Sequence, residues 1–455
     1  MPDTIAAIAT IQAPSAIGIV RLTGPDTRRI LDGVFAPANG RPMSAQTPRK
    51  LVFGRALDRS GGVIDEALAV LFPGPNSYTG EDCAEIHCHG SPVVLDEVLA
   101  AAFARGARQA RGGEFTQRAF LSGRMDLIQA ESVADLIDAE SAGAARNAVG
   151  QLQGRMSRSV GGIYDALMDV VSRFYAIVDY PDEEIEPLQQ AQIEQTLAES
   201  AERLDALLAT FSRGRLLKSG VPAVILGKPN AGKSSLLNAL LGYDRAIVTD
   251  IAGTTRDTVE EKVLVGSVLL RLCDTAGIRE AADTVERLGV ERAQQAAQRA
   301  ELALLVLDGS APLTREDEEA IAAARQARRM LVLVNKADLP QVLDTAALRV
   351  RFGEVIPLSA RSGAGVDALC RAVEELFAGG ETPRGELLTN ARQAESAQRA
   401  LDAVRRAEQA LRSGLSPDAV LTDAEEALEA LAEFSGKRVR DDLVATIFSR
   451  FCVGK

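Results

Sequence analysis

The chain has 455 residues, more than a single hydrophobic core supports, so we expect two or three domains. Its formal net charge of −12 and lack of Trp disfavour nucleic-acid binding through the overall field or base stacking, although a local basic patch or a basic partner stays open. Five scattered cysteines are not a disulfide framework, and no apolar run approaches the ~20 residues of a membrane span. The start lacks a basic leader, so we expect a cytoplasmic protein without a membrane segment.

The first 120 residues alternate short apolar runs with turns. Residues 16–22 and 67–72 are predicted strands, and Pro73-Gly-Pro-Asn76 stops the second. Ser91–Arg105 is a predicted helix. Residues 1–120 therefore form a predicted small α/β domain.

Residues 121–215 change to a helical pattern. Pro181 and Pro187 end a first long helix, and a second is predicted from Ile193 to about Arg213. Apolar side chains of the first helix recur in steps of three and four residues, which places them on one stripe that needs a partner helix. That stripe consists of Val160, Ile163, Leu167, Val170, Phe174 and Ile177.

Helical periodicity returns only after residue 390, at Ala391–Arg412 and Thr422–Phe434. The simplest inference is that residues 121–215 and 379–455 pack into one helical bundle. Residues 216–378 would then be a module inserted into that bundle.

A phosphate-binding loop opens the inserted module. The strand-like run Pro222–Leu226 precedes Gly227-Lys-Pro-Asn-Ala-Gly-Lys-Ser234, which is Gly-x4-Gly-Lys-Ser between a strand and a helix. In such a loop Lys233 bridges the β- and γ-phosphates and Ser234 ligates Mg²⁺. The alternative, an ordinary glycine-rich turn, is weakened by the motifs that follow. The predicted nucleotide contacts here are Asn230, Ala231, Gly232, Lys233, Ser234 and Ser235.

Two further polar segments predict a magnesium and γ-phosphate site. The strand Val268–Cys273 leads into residues 274–277, where a carboxylate can hold a magnesium-bound water and a glycine N–H can sense the γ-phosphate. The preceding glycine-containing loop suits a mobile switch and supplies Thr255 as a second Mg²⁺ ligand. The predicted contacts are Thr249, Asp250, Ile251, Ala252, Gly253, Thr254, Thr255, Asp274, Thr275, Ala276 and Gly277.

A base-recognition motif follows the strand Met330–Val334. Guanine offers adjacent N1–H and N2–H donors that the Asp338 carboxylate can accept, whereas adenine has no such pair. The other predicted contacts are Asn335 and Lys336, with Ser359 and Ala360 turning a backbone N–H toward the guanine carbonyl.

These motifs together predict GTP as the substrate and a Ras-like P-loop G domain over residues 216–378, with a mostly parallel, doubly wound sheet. The whole chain is then a multidomain α/β plus all-α protein. Ile278 stands where Ras-like proteins carry the glutamine that orients water, and no intramolecular arginine finger stands out. Transition-state charge must therefore be stabilised by other means.

Motifs inside and outside the G domain together match one known family. Outside the module they are residues 73–82, 112–120 and 179–185 and the terminal Phe451-Cys-Val-Gly-Lys455. In these segments the chain resembles the MnmE (TrmE) family of tRNA-modification GTPases along its full length. The resemblance implies a homodimer joined through its N-terminal domains. It also implies a flavin-dependent partner, MnmG (GidA), in a heterotetramer that adds an aminomethyl-type group to C5 of the wobble uridine of certain tRNAs.

The same resemblance implies that K⁺ stabilises the phosphate charge where other GTPases use an arginine. Its ligands, carried over by position, are the Asn230 side chain and oxygens of Thr249, Ile251 and Thr254. Glu286 matches the family's water-positioning glutamate, although by its sequence alone it is a solvated charge on a helix face.

The resemblance also implies a one-carbon folate, 5-formyl-tetrahydrofolate or a related form, bound by the N-terminal domain. The matching positions are Arg21, Glu85, Arg124 and Lys455, of which Glu85 can accept from the pterin N–H groups. Cys452 matches a cysteine with a suggested catalytic role; its other interpretation is a small buried apolar residue.

A metal site at Cys83, His87, Cys88 and His89 is weighed and set aside. In a strand His87 and His89 share one face while Cys88 faces the other, so three adjacent ligands do not converge. Strand packing is the preferred interpretation.

The alternative function is an Era-like ribosome-assembly GTPase switch without folate chemistry. Such proteins carry a basic RNA-binding segment after the G domain, whereas this chain has an Ala/Glu-rich helical stretch there.

Overall fold

The computed structural model describes residues 3–179, 187–243, 261–273, 294–377, 385–437, 447–448, 451 and 453–454. By their internal contacts these residues form two compact units. The first unit comprises Met1–Ala134, Gln151–Leu204 and Glu395–Lys455, and the second comprises Asp135–Gly150 and Asp205–Ala394.

Within the described residues, strands and helices follow one another from the N-terminal sheet to the C-terminal helices. The strands are β1 (Ile5–Ile8), β2 (Ser15–Thr23), β3 (Phe35–Pro37), β4 (Val52–Leu57), β5 (Val63–Phe72), β6 (Cys83–Gly90), β7 (Arg108–Gln109), β8 (Val221–Leu226), β9 (Glu261–Val265), β10 (Val268–Leu272), β11 (Leu302–Asp308), β12 (Arg329–Asn335) and β13 (Val355–Pro357). The helices are α1 (Thr27–Val34), α2 (Pro92–Ala104), α3 (Glu114–Leu121), α4 (Leu127–Ile137), α5 (Ala142–Leu152), α6 (Arg155–Asp179), α7 (Pro187–Ala209), α8 (Phe211–Ser219), α9 (Lys233–Tyr243), α10 (Arg315–Ala324), α11 (Thr345–Phe352), α12 (Val366–Phe377), α13 (Ala391–Arg412) and α14 (Pro417–Ser435).

The first unit begins with a seven-stranded sheet in the order β3-β4-β5-β6-β2-β1-β7. Its described pairs are antiparallel except β1 with β7. Side chains alternate across a strand, so Val20 and Leu22 of β2 pack with Ile86 of β6 under α1 and α2. Arg21 and Glu85 consequently lie on the opposite face, which helices α1 and α2 leave uncovered.

The helices of the first unit come from two distant parts of the chain. The stripe residues Val160, Ile163, Leu167, Val170 and Phe174 of α6 are all buried, and α6 packs against α14. Arg412 of α13 forms an ion pair with Glu194 of α7 at 2.6 Å. The helical segments before and after the inserted module therefore do pack together, as the periodicity predicts.

The second unit contains a six-stranded sheet in the order β13-β12-β11-β8-β10-β9. All its neighbours are parallel except the β9–β10 hairpin. Alternate residues of β11 enter different cores: Leu304 packs with α9 and α12, and Leu305 packs with α10 and α11. The sheet is covered on both faces, as a mostly parallel sheet must be. Strand order reverses at β8, the point where doubly wound folds bind ligands.

One predicted helix is wrong in extent. The run predicted from Ile193 to Arg213 is two helices, α7 and α8, separated at Thr210. The Thr210 hydroxyl donates to Leu207 O at 2.6 Å and accepts from Leu388 N at 3.1 Å. This partner is remote in sequence, so periodicity alone could not place the break. In the part of the chain that the structure describes, no helix carries an apolar stretch long enough to cross a membrane.

Candidate functional site

The predicted phosphate loop joins the end of β8 to the start of α9. Three of its residues have positive φ: Gly227 (154°), Asn230 (60°) and Gly232 (101°). A Cβ at Gly227 would lie 2.3 Å from Val306 O, and one at Gly232 would lie 2.1 Å from Asn335 Nδ2. Both glycines are therefore required, because the loop is pressed against β11 and the end of β12.

Lys233 is folded back over this loop. Its Nζ donates to Gly227 O and to Lys228 O, each at 2.8 Å. Burial lowers the pKa of Lys233. Ser234 and Ser235 are exposed in the first turn of α9, where free backbone N–H groups favour anions. The loop thus offers an amine, two hydroxyls and a helix N-terminus to phosphate oxygens and their metal.

Asn335, at the end of β12, joins the phosphate loop to the predicted base-recognition loop. Its Nδ2 donates to Ala231 O at 2.8 Å, and its Oδ1 accepts from Ala360 N at 2.9 Å. The side chain is only 2% exposed. Both ends of one buried amide are used, so residues 231 and 360 are held at a fixed separation.

Asp338 lies exposed at the same edge of the sheet. The Ser359 hydroxyl donates to its Oδ1 at 2.7 Å, and this hydrogen bond is the main reason that the pKa of Asp338 is lowered. The carboxylate is therefore ionised near neutral pH and keeps free acceptor positions for two N–H donors.

Asp308, at the end of β11, is a site residue that the sequence analysis missed. Lys336, whose φ is +63°, donates to Asp308 Oδ2 at 2.6 Å. Burial raises the pKa of Asp308, but the hydrogen bonds from Lys336 and Ser310 outweigh it and hold that pKa below its ordinary value. The sequence signal that could have identified Asp308 is its position as a polar residue at the end of a buried apolar strand.

Several predicted residues lie outside the described residues, so their positions stay predictions. In the G domain they are Thr249, Asp250, Ile251, Ala252, Gly253, Thr254, Thr255, Asp274, Thr275, Ala276, Gly277 and Glu286; at the C-terminus they are Cys452 and Lys455.

A second polar group lies on the face of the N-terminal sheet opposite α1 and α2. Arg21 and Glu85 are cross-strand partners, and Arg21 Nη2 donates to Glu85 Oε1 at 2.8 Å. The guanidinium carbon of Arg21 lies 5.7 Å from the ring centre of Tyr78 and 5.8 Å from that of Phe115. Arg21 Nη1 also donates to Gly454 O at 3.4 Å, which brings the C-terminal segment to this pair.

The side chain of Arg124 contacts a backbone carbonyl in the same region. Its Nε donates to Ser77 O at 3.1 Å, one residue before Tyr78. The structure thus brings Arg21 and Glu85 into direct contact and ties Arg124 to the loop beside them. Lys455 follows Gly454 but is not itself described.

The two histidines of β6 have separate carboxylate partners, and its two cysteines are buried. Burial raises the pKa of Cys88 to about 12, so its thiol stays protonated. His87 Nε2 lies 3.1 Å from Glu85 Oε2, and His89 Nδ1 lies 2.8 Å from Asp65 Oδ1. Across the described ranges, no cluster of three His, Cys, Asp or Glu side chains forms a metal site.

Sequence comparisons cover the whole chain. The profile of the MnmE helical domain matches residues 127–452, and that of the GTP-binding protein TrmE N-terminus matches residues 4–124. The G domain of the T. maritima FeoB iron transporter, a solved structure, covers 35% of this chain and 99% of its own, with 22% identity and a TM-score of 0.27.

Curated relatives named tRNA modification GTPase MnmE align from end to end. The protein from Roseiflexus sp. (strain RS-1) is 45% identical over 100% of this chain and 99% of its own length. The protein from Chloroflexus aurantiacus is 43% identical over 100% of both chains, and that from Symbiobacterium thermophilum is 42% identical over 100% and 99%. With identity of this level sustained over both chains, this protein is a GTP hydrolase that belongs to the MnmE (TrmE) family of tRNA modification GTPases.

Proposed function

We propose that this GTP hydrolase works in a potassium-dependent cycle and drives, with a flavin-dependent partner, addition of an aminomethyl-type group to C5 of a tRNA wobble uridine. A folate supplies the one-carbon unit. The main support for the nucleotide-binding part of this proposal is the Asn335 amide, which joins the phosphate loop to the predicted base-recognition loop. The tRNA-modification part of the proposal rests on family membership.

The oxygen ligands that the described residues offer fit Mg²⁺ and K⁺ bound beside the nucleotide. Ser234 presents an exposed hydroxyl, and Asn230 is exposed on the phosphate loop with its φ in the left-handed region. Hydroxyl and amide oxygens suit both ions. When bound, the ions place positive charge against the phosphates. The other proposed ligands are Thr249, Ile251, Thr254 and Thr255, and Glu286 is the proposed water-positioning residue.

The Arg21–Glu85 pair fits a folate. Glu85 Oε1 accepts two bonds from Arg21, but Oε2 contacts only His87 among the described residues, so it keeps an acceptor position for a pterin N–H. Tyr78 and Phe115 add aromatic surface beside the guanidinium. We propose that Arg124 and Lys455 complete this site, with Cys452 next to it.

An exposed apolar cross-strand pair supports the proposed homodimer. Phe53 of β4 and Leu68 of β5 are cross-strand partners on the face turned away from α1 and α2, and they are 53% and 37% exposed. Adjacent apolar side chains exposed on a sheet face are a candidate association surface where they form part of a larger contiguous patch. We propose that a second copy covers this face, with MnmG (GidA) completing a heterotetramer.

The Era-like alternative is not favoured. The residues after the G domain form α13 and α14, which belong to the helical bundle, and they match the MnmE helical-domain profile. Ion pairs such as Arg406 with Asp423 at 2.8 Å also neutralise the cations of α13.

Nucleoside mass spectrometry tests the tRNA function. A strain that lacks the gene should lose the C5-modified wobble uridine, and the wild-type gene should restore it. Arg21→Gln should fail to restore it while keeping GTP turnover within about twofold, because the substitution leaves the nucleotide site intact. Arg29→Gln, which removes an exposed ion pair with Asp26, is the matched control. Intact modification in the deletion strain would refute the function.

GTP turnover in potassium and in sodium tests the cation mechanism. Wild type should be much faster in potassium, by up to the roughly 10³- to 10⁵-fold that an arginine finger supplies, if the ion takes its part. Asn230→Ala should lose most of that difference while still binding GDP. Equal rates in the two salts would eliminate the cation mechanism and leave GTP binding untouched.

A further inference from the structure

Lys228 is the one cation of the phosphate loop whose side chain turns away from the loop. Its Nζ lies 2.8 Å from Asp317 Oδ2 in α10, and the two side chains are 12% and 1% exposed. A buried carboxylate is stable only with a charge partner or several hydrogen bonds. Within the described residues, Lys228 is the only cation at ion-pair distance from Asp317.

Asp317 is held firmly by the helix that carries it. It is the N3 residue of α10, and its Oδ2 accepts from both the backbone N and the hydroxyl of Thr314 at 2.8 Å. The bond from Thr314 N, together with that from Asp317 N to the Thr314 hydroxyl at 3.4 Å, forms a capping box, which fixes the carboxylate relative to the helix. Its Oδ1 is buried and has no hydrogen-bond partner among the described residues. The position of Asp317 therefore sets the position of Lys228.

The backbone of Lys228 in turn contacts the phosphate-binding machinery. Its carbonyl accepts from Lys233 Nζ at 2.8 Å and from Ala231 N at 3.3 Å. One residue thus links the rigid start of α10 to the amine that meets the phosphates and to the residue that Asn335 holds. A displaced Lys228 would move all of these groups.

We propose that Lys228 and Asp317 are a positioning pair that holds the phosphate loop in its nucleotide-binding shape and so sets how long the nucleotide stays bound. The inference rests on the nucleotide site proposed above. The pair touches no reacting atom, so it should affect binding far more than the chemical step.

Release of a fluorescent GDP analogue, followed by stopped flow on the full chain, measures the effect. Lys228→Met should speed release roughly tenfold or more, the size expected for a charge-assisted hydrogen bond. The KM for GTP should rise by a larger factor than kcat changes. Lys228→Arg should restore slow release, because a guanidinium keeps the charge and the hydrogen bond.

Two comparisons separate positioning from general stability. Asp317→Asn should speed release like Lys228→Met, and the double variant should be no faster than either single variant, since both remove one interaction. Asp344→Ala removes the side-chain N-cap of α11, and Lys262→Met removes an exposed ion pair with Glu140; neither should change release.

The outcomes are distinct. If Lys228→Met and Asp317→Asn lower the unfolding temperature but leave GDP release and the KM unchanged, or if Lys228→Arg does not restore slow release, the positioning role is wrong. If the wild-type chain itself fails to bind GDP, the proposed nucleotide site fails instead.

Discussion

Asn335 shows how a single side chain can organise the nucleotide site. Its amide donates to Ala231 O and accepts from Ala360 N, and an aspartate could not supply the donor. The neighbouring Asp338 performs a different task, because its carboxylate is exposed and directed by Ser359 alone among the described side chains. Asn335 fixes the loops, and Asp338 is the residue proposed to meet the base.

Replacing Asp338 by Asn should change the base preference from guanine to xanthine. Guanine presents two N–H donors to the carboxylate, whereas xanthine presents a carbonyl at C2 that an asparagine amide can donate to. GTP affinity should fall roughly 100-fold or more, while XTP should gain affinity. Competition of GDP and XDP against a fluorescent GDP analogue measures both changes. An unaltered preference would mean that Asp338 does not contact the base.

Glu114 should make the N-terminal sheet sensitive to acid. Burial alone would raise the pKa of Glu114, but hydrogen bonds from Arg108 and from Arg111 N outweigh it and lower that pKa from 4.5 to about 2. A lowered folded pKa stabilises the protein above about pH 4.5, and this contribution is lost as pH falls toward 2. It is worth roughly 3 kcal/mol at neutral pH.

The variant Glu114→Gln lacks this titrating group. It should unfold more easily than wild type at pH 7, and the difference in free energy of unfolding should shrink between pH 5 and pH 3. Urea unfolding followed by circular dichroism at several pH values gives that difference. A gap that stays constant with pH would show that the low pKa is not what stabilises this region.

At the scale of elements, the sequence pattern predicts the long helices and several of the strands but not how their ends are fixed. The predicted helix Ala391–Arg412 coincides with α13, and the α6 stripe is buried from Val160 to Phe174, because both depend on local periodicity. Lys228 and Asp308 escaped prediction because their partners lie 89 and 28 residues away. Such pairings exist only once the sheet has brought the strand ends together.

Gly214 in α8 gives a test at this scale. A Cβ at this position would lie 2.0 Å from Leu388 O, a backbone atom that cannot easily move. Gly214→Ala should therefore destabilise the second unit by roughly 1–3 kcal/mol, despite the better helix propensity of alanine. Gly242→Ala in α9 is the matched control, since nothing lies within 4 Å of its added Cβ, and it should be neutral or stabilising by up to ~1 kcal/mol. Denaturant midpoints measure both; a neutral Gly214→Ala would refute the close contact.

At the scale of the whole molecule, contacts between the ends of the chain could not be predicted from local sequence. Arg21 and Gly454 are 433 residues apart, yet they are hydrogen-bonded. The terminal motif carries the family resemblance, and Gly454 docks on the N-terminal sheet beside Arg21. Family resemblance identified these distant positions; residue patterns alone did not.

The exposed face of the N-terminal sheet predicts the state of assembly. The double substitution Phe53→Glu and Leu68→Glu should convert the proposed dimer into a monomer, because charges cannot be buried in the interface without partners. Sedimentation velocity measures the change, and GDP affinity should stay the same. Val350→Glu, at a residue 91% exposed in the second unit, is the control. A double variant that remains dimeric would place the interface elsewhere.

Calorimetric titration of the nucleotide-free chain with GDP and with ADP tests the nucleotide site most directly. In magnesium and potassium, GDP should bind at least roughly 100-fold more tightly than ADP, because the exposed Asp338 carboxylate can accept the adjacent N1–H and N2–H groups of guanine, a pair that adenine lacks. Asn335→Ala should weaken GDP binding strongly, since the two loops then lose their link. Equal affinity for GDP and ADP would contradict the assignment of this edge of the sheet as a guanine nucleotide site.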